Sequence, residues 1–283
     1  MNSAPLVLGS SLAITRGQSL QFSSRDLAPK VTVPYEVNAI RMLAYGAAPI
    51  NATGETGGAP DSSLRGFLKF QFTLGPIPLT DHFIPMWNLC PVRQAITEFG
   101  GYFEWRFSRP LVVSPAGRID ARVQLASNTP NAGGAPTITV KLAYAGRYRP
   151  DLDKMPAMID VPFVSAWDTS LTGTTLANDG ISLRNPLSRP VDVEQFICRV
   201  ENDESGLNGD DSTLIDIRDP WGSPFNRFGP IAIHAMFPSA TRSFPYHGQL
   251  PSEKHFWAKL NTAPSLTYRP MISYLGSRRE KSL

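Results

Sequence analysis

Residues 102–125 read YFEWRFSRPLVVSPAGRIDARVQL, and residues 137–146 read TITVKLAYAG. Phe103, Trp105 and Phe107 alternate with Glu104 and Arg106, the period-two pattern of a half-buried strand. Arg109-Pro110 interrupts the pattern, and Pro115-Ala116-Gly117 turns the chain. Ile119, Ala121, Val123 and Leu125 then alternate with Asp120, Arg122 and Gln124. Past the loop Asn128–Pro136, Ile138, Val140 and Leu142 alternate with Thr139 and Lys141. Strands of this kind, separated by turn residues, predict an antiparallel meander with one dry and one wet face.

Shorter echoes appear elsewhere. Trp257 lies 257 − 105 = 152 positions after Trp105, and Pro264 lies 264 − 110 = 154 after Pro110. The segment Pro34–Arg41 (PYEVNAIR) resembles Pro190–Ile197 (PVDVEQFI), with 190 − 34 = 156. Matches in order, at nearly one offset of about half the chain, suggest a duplicated all-β unit.

Working outward, Leu12–Ile14 and Leu20–Phe22 read as an opening hairpin about Arg16-Gly17, and Val37–Tyr45 as a long strand. Phe67–Leu74 alternates cleanly and is a further strand. Gly75–Gln94 is apolar and punctuated by proline, an irregular segment with one short helix. Met158–Val164, Val191–Val200, Leu214–Ile217, Pro230–Phe237, Phe256–Leu260 and Met271–Leu275 supply strands in the second half. Ala47–Ser63 and the acidic stretch Glu201–Ser212 read as long loops in matching places of the two halves. The division falls in the charged, proline-bearing stretch Gly146–Met158, giving halves of 1–150 and 151–283. Ser277–Leu283 reads as a short basic tail.

Composition agrees. The chain has 283 residues, 42% of them hydrophobic, enough to bury real cores. Its 26 prolines and 22 glycines suit many short strands with many turns. No apolar run approaches the roughly 20 residues that span a bilayer. The first residues, MNSAPLVLGSSLAITRGQ, carry no positive charge ahead of their apolar stretch, so no secretion signal is expected. A net charge of +3 is too weak to argue nucleic-acid binding. Cys90 and Cys198 fit neither a disulfide framework nor a zinc spacing, and read as free thiols.

The usual signatures of catalysis are missing. His82, His234, His247 and His255 show no HxH, HxxxH or HExxH spacing, so no metal site is expected. Nucleophile-elbow, Walker-type and dinucleotide-binding glycine patterns are absent. Glu201, Asp203, Glu204, Asp210 and Asp211 fit no EF-hand pattern and read as a solvated loop rather than a calcium site. Trp105 and Trp257, in alternating strands beside other aromatics, read as packing residues rather than stacking platforms. No cofactor and no enzymatic activity are expected.

The order of motifs has a family resemblance. A polar opening, the strand Pro34–Arg41, the hairpin Trp105–Ile119 and the strand Ile138–Gly146 ending in glycine form a first copy. Pro190–Ile197 and Trp257–Gly276 form a degenerate second. This rhythm resembles the double jelly-roll major capsid proteins of tailless icosahedral, often membrane-containing, bacteriophages. The resemblance implies two tandem eight-stranded jelly-roll barrels with at most short helices. It also implies a homotrimer forming a pseudo-hexagonal capsomer, long loops at the outer end, and vertex proteins as neighbours in the virion. A terminal segment facing membrane or genome would be Ser277–Leu283, through Arg278, Arg279 and Lys281.

Such a subunit needs broad lateral contacts, and stiff aromatic segments lose little entropy on docking. Gly75–Leu89 offers Phe83, Met86 and Trp87, and Asp219–Phe228 (DPWGSPFNRF) offers Trp221, Phe225 and Phe228. Each segment could instead plug its own barrel. Two other readings of the whole chain stand beside this one. One is a single jelly-roll capsid subunit with an added β-domain; the other is a two-barrel glycan-binding protein or hydrolase.

Overall fold

The computed structural model describes residues 5–15, 18–23, 32–46, 68–89, 103–125, 137–152, 154–166, 180–202, 214–237, 243–260 and 268–282. The expected loop 47–63, residues 203–212 of the acidic loop, Cys90 and the turn at Arg16-Gly17 lie outside them. In the first half, strands β1 (Pro5–Thr15), β2 (Ser19–Ser23), β3 (Tyr35–Gly46), β4 (Leu68–Leu74), β5 (Ile77–Pro78) and β6 (Ile84–Pro85) precede helix α1 (Met86–Leu89). Strands β7 (Phe103–Val113), β8 (Ile119–Leu125) and β9 (Thr137–Tyr148) follow. The second half has β10 (Met158–Ala166), β11 (Ile181–Arg184), β12 (Val191–Asn202), β13 (Leu214–Arg218) and β14 (Ile231–Ala232). Helix α2 (Ile233–Met236), β15 (Ser243–Leu250), β16 (His255–Leu260) and β17 (Tyr268–Lys281) complete it.

Sheet order is β1-β9-β3-β7 and β2-β8-β4-β5 for the first set, with β6 also on β4, and β10-β17-β12-β15 and β11-β16-β13-β14 for the second. Taking β5 and β6 as one strand, each set puts its first, eighth, third and sixth strands in one sheet. The second, seventh, fourth and fifth form the other. That is the jelly-roll order, present twice. By compactness the chain divides into Met1–Cys90 with Gln94–Phe163 and Ser277–Leu283, and Pro91–Arg93 with Val164–Gly276.

Two expectations are corrected by this topology. β7, β8 and β9 are no meander: β7 and β9 both flank β3, while β8 lies between β2 and β4 in the other sheet. β1 and β2 are no hairpin either, since β1 pairs with β9 and β2 with β8. Alternation tells which side chains face the core, and a strand that crosses between sheets alternates just as one that pairs with its neighbour does. Pro110 does not break β7, because it lies between Arg106 and Leu111, where the register with β3 shifts and no residue of β7 is paired, and the strand's other side is a sheet edge. Pro230–Phe237 yields only the two-residue β14 before α2.

The repeat is partly upheld. Pro34–Arg41 and Pro190–Ile197 lead into β3 and β12, the third strand of each set. Both strands carry a register shift at the same point of the repeat, between Val37 and Ala39 and between Val193 and Gln195. The tryptophan pair is not equivalent: Trp105 is on β7, a sixth strand, and Trp257 on β16, a seventh. The true counterparts are Tyr144-Ala145-Gly146 and Tyr274-Leu275-Gly276, on the eighth strands β9 and β17.

Each unit has its own aromatic centre. In the first, Leu68, Phe70, Phe72 and Leu74 are buried along β4. Phe72 meets Trp105 at 5.7 Å, and Trp105 meets Phe107 edge-on at 5.0 Å. In the second, Phe196 sits edge-on to Phe256 at 4.8 Å and to Tyr246 at 5.5 Å. Cys198 is buried and is not part of a disulfide.

Candidate interaction surface

Between β13 and β14 the chain makes two successive tight turns of the same design. In Asp219-Pro220-Trp221-Gly222 the Gly222 amide donates to the Asp219 carbonyl at 3.0 Å, and the Trp221 amide donates to Asp219 Oδ1 at 2.9 Å. In Asn226-Arg227-Phe228-Gly229 the Gly229 amide donates to the Asn226 carbonyl at 3.2 Å, and the Phe228 amide to Asn226 Oδ1 at 3.3 Å. An Asx side chain opens each turn by accepting an amide two residues on. A glycine closes each at φ 87° and 100°, a conformation that other residues avoid.

The third position of each turn is aromatic and points away from the protein. Trp221 is 69% exposed and Phe228 99%. Between them Phe225 turns inward, stacked on Tyr246 at 5.1 Å and 10° and edge-on to Phe196 at 5.4 Å. Its amide donates to the Ile217 carbonyl at 2.8 Å, and Pro224 bridges to Arg218. The Ser223 amide also donates to Asp219 Oδ1, at 2.8 Å. Burial, and secondarily the charge of Asp219, push the Tyr246 phenol above its ordinary pKa. The loop is thus pinned by one aromatic and displays two others.

Magnitudes bound what such a display can do. At 150–250 Å² per aromatic side chain, the two display roughly 350 Å². Burying that at roughly 25 cal/mol per Å² gives on the order of 9 kcal/mol gross, which association costs consume in large part. A standard interface covers about 800 Å² per partner. The pair is therefore suited to be the centre of a larger contact rather than a whole one.

The other expected contact residues fare differently. Met86 is 1% exposed within the first unit, a core residue and not a surface one. Phe83 is half-buried, and the Trp87 side chain lies outside the described residues. Phe225 packs into its own barrel, as described. The basic tail is corrected: residues up to Lys281 belong to β17. Arg278 is 2% exposed, donates to the Pro78 carbonyl at 2.7 Å and to Glu280 at 2.8 Å, and lies 4.8 Å over the Phe163 ring. Arg279 and Lys281 remain exposed. A strand that alternates faces buries one cation and shows the next, which a charge count of the tail does not reveal.

Arginine–carboxylate groups occupy the first unit's surface. Glu104, its side chain 4% exposed, accepts from Arg41 Nε at 2.8 Å and Arg106 Nε at 2.9 Å. Burial raises its pKa, but the two guanidinium hydrogen bonds outweigh that and hold it below the ordinary value. Glu36 accepts from Arg147 and from Arg149, the latter at 2.6 Å. Arg149 also grips Asp151 and lowers its pKa to about 2. Among the described residues no group of three or more His, Cys, Asp or Glu could hold a metal ion. No helix among them is long and apolar enough to cross a membrane.

The sequence matches no family model and no curated protein. Solved structures do match. The chain superposes on the major capsid protein of Sulfolobus turreted icosahedral virus, a double jelly roll, with a TM-score of 0.53 and 14% identity over 96% of each chain. The ANX1 ectodomain from Arabidopsis thaliana matches over 99% of this chain and 84% of that one, with TM-score 0.30 and 7% identity. PNGF-II matches over 98% and 60%, with TM-score 0.31 and 13% identity. Only the first score is high enough to argue from, and what it establishes is the fold.

Proposed function

We propose that this chain is the major capsid protein of a tailless icosahedral virus, a structural subunit that works by self-assembly without covalent chemistry. Its two halves, 1–150 and 151–283, act as the two barrels of the subunit. Three chains present six barrels and form a pseudo-hexagonal capsomer, which packs against its neighbours and against vertex proteins. Synthesis is in the host cytoplasm, and the working location is the virion. The sequence rhythm resembles bacteriophage shells, while the solved counterpart comes from a Sulfolobus virus.

One observation carries the reading. Both strand sets complete the jelly-roll order, and a known capsid subunit shares that double architecture along 96% of both chains. The displayed pair Trp221 and Phe228 supplies the aromatic centre that a specific contact needs.

Light scattering on the purified chain tests this directly. A mass three times that of the chain, with six-lobed particles in negative-stain images, is the expected result. A monomer at every concentration, or hydrolysis or tight binding of a glycan, would overturn it.

A further inference from the structure

We infer that the two aromatic turns meet their own copies on a second subunit across a twofold axis. This rests on the self-assembly reading and specifies one of its contacts. Trp221 and Phe228 are the exposed large hydrophobic residues among those described. Energetically dominant residues pair with others of their kind at the centre of a contact. On the described surface, the matching apolar patch for this loop is therefore the same loop on another chain. A patch that binds itself does so about a twofold, each residue meeting in the partner what the partner meets in it.

Charge permits the approach. Asp216, Arg218, Asp219 and Arg227 place two carboxylates against two guanidiniums in and beside the turns, so equal patches do not repel. Arg218 is occupied by Asp216 at 2.9 Å. Arg227 is exposed, and Asp219 uses Oδ1 for its own turn, leaving Oδ2 for an incoming guanidinium. Reciprocal Arg227–Asp219 pairs would flank the aromatic centre, a polar rim about an apolar middle. A neutral loop is also a poor anchor for an anionic bilayer, which favours basic segments.

The connection exists in one unit alone. In the first, β4 passes to β5 through Gly75-Pro76, with no room for such a display. Among the described residues each subunit thus carries one such pair of knobs, as a contact linking one chain of a capsomer to one chain of the next requires.

The test uses symmetry. In the full chain, Phe228→Cys under mild copper–phenanthroline oxidation is expected to give a covalent dimer, because a twofold brings position 228 near itself. Ser182→Cys, exposed on β11, and the unaltered chain serve as controls and are expected to give several-fold less dimer. Trp221→Ser with Phe228→Ser is expected to leave the smallest assembled unit intact while abolishing larger species in sedimentation. Circular dichroism of each variant establishes that it folds. Equal cross-linking at positions 228 and 182, with the double variant assembling as the parent does, would overturn the twofold contact and leave the capsid reading standing. Loss of binding to phosphatidylserine vesicles in the double variant, without cross-linking at 228, would assign the loop to a membrane instead. A parent chain that stays monomeric would remove both readings.

Discussion

Gly146 lies flat against the backbone of Glu36. A Cβ added to it would stand 2.8 Å from the Glu36 carbonyl carbon, closer still to the oxygen, and 3.0 Å from the Val37 Cα. The second jelly roll repeats the arrangement: a Cβ on Gly276 would press on the Asp192 carbonyl group, 3.0 Å from its carbon. In both, the glycine of the eighth strand faces the third strand beside the register shift. The bulged backbone leaves no space there for a side chain.

Gly146→Ala and Gly276→Ala are therefore each expected to destabilise the protein by about 1–3 kcal/mol, the range for overpacking a tight site. The obstructing atoms are backbone and cannot rotate aside. Gly222→Ala also loses a glycine at positive φ, yet an added Cβ there meets nothing within 4 Å. Its smaller cost would reflect backbone strain alone. Urea titration of the three variants gives the ranking, and equal costs would sink the argument.

Two residues before each glycine a buried tyrosine reaches out of its strand. The Tyr274 hydroxyl donates to the Arg184 carbonyl at 3.0 Å, and the Tyr144 hydroxyl to the Ile119 carbonyl at 3.4 Å. Tyr274→Phe is expected to cost about 1 kcal/mol, and Tyr144→Phe less, because its bond is longer. Thermal melts compare them. A larger loss at Tyr144 would show that the hydroxyl bonds are not what ranks the two sites.

Acid should weaken the first jelly roll through Glu104. Its folded pKa lies below the 4.5 of a free carboxyl, so the fold binds the ionised form more favourably. Stability from this group is fully present above pH 4.5 and is lost as pH falls through the lowered value. In Glu104→Gln that part of the acid slope should vanish, measured by urea unfolding between about pH 3 and 6. A variant retaining the parent's full slope would place the acid sensitivity elsewhere.

Arg278 and Arg279 should separate cleanly. Arg278→Met removes a buried cation from the Pro78 carbonyl and Glu280, at an expected cost of about 3 kcal/mol. Arg279, 68% exposed and 4.0 Å from Asp160, should tolerate alanine within about 0.5 kcal/mol. Calorimetry on both variants checks this. Similar midpoints would show that burial of Arg278 carries no weight.

Strand content was legible because alternation is local: Phe70 and Phe72 announce β4, and Ile119 to Leu125 announce β8 at the bounds seen. Pairing was not, since β7 and β9 both choose β3 across long intervals that no local pattern encodes. β15 is not legible because SFPYHGQL breaks its own alternation with proline and glycine, and four-residue β11 is too short to show a period. The segment around Trp221 and Phe228 stood out as stiff and aromatic. Its repeated Asx–x–aromatic–Gly design is legible in the sequence only when Gly229 is taken with it. The tyrosine–glycine pairs were equally open to view, but only the bulge opposite explains why they are needed.

Residues 277–283 belong to the first unit although the second unit precedes them in the chain. A ribosome must translate the whole of the intervening unit before Arg278 can emerge to bind the Pro78 carbonyl. The amino-terminal half lacks this contact until the intervening unit has been made. A chain halted before Arg278 would lack that contact and is expected to be the more readily cut by proteases.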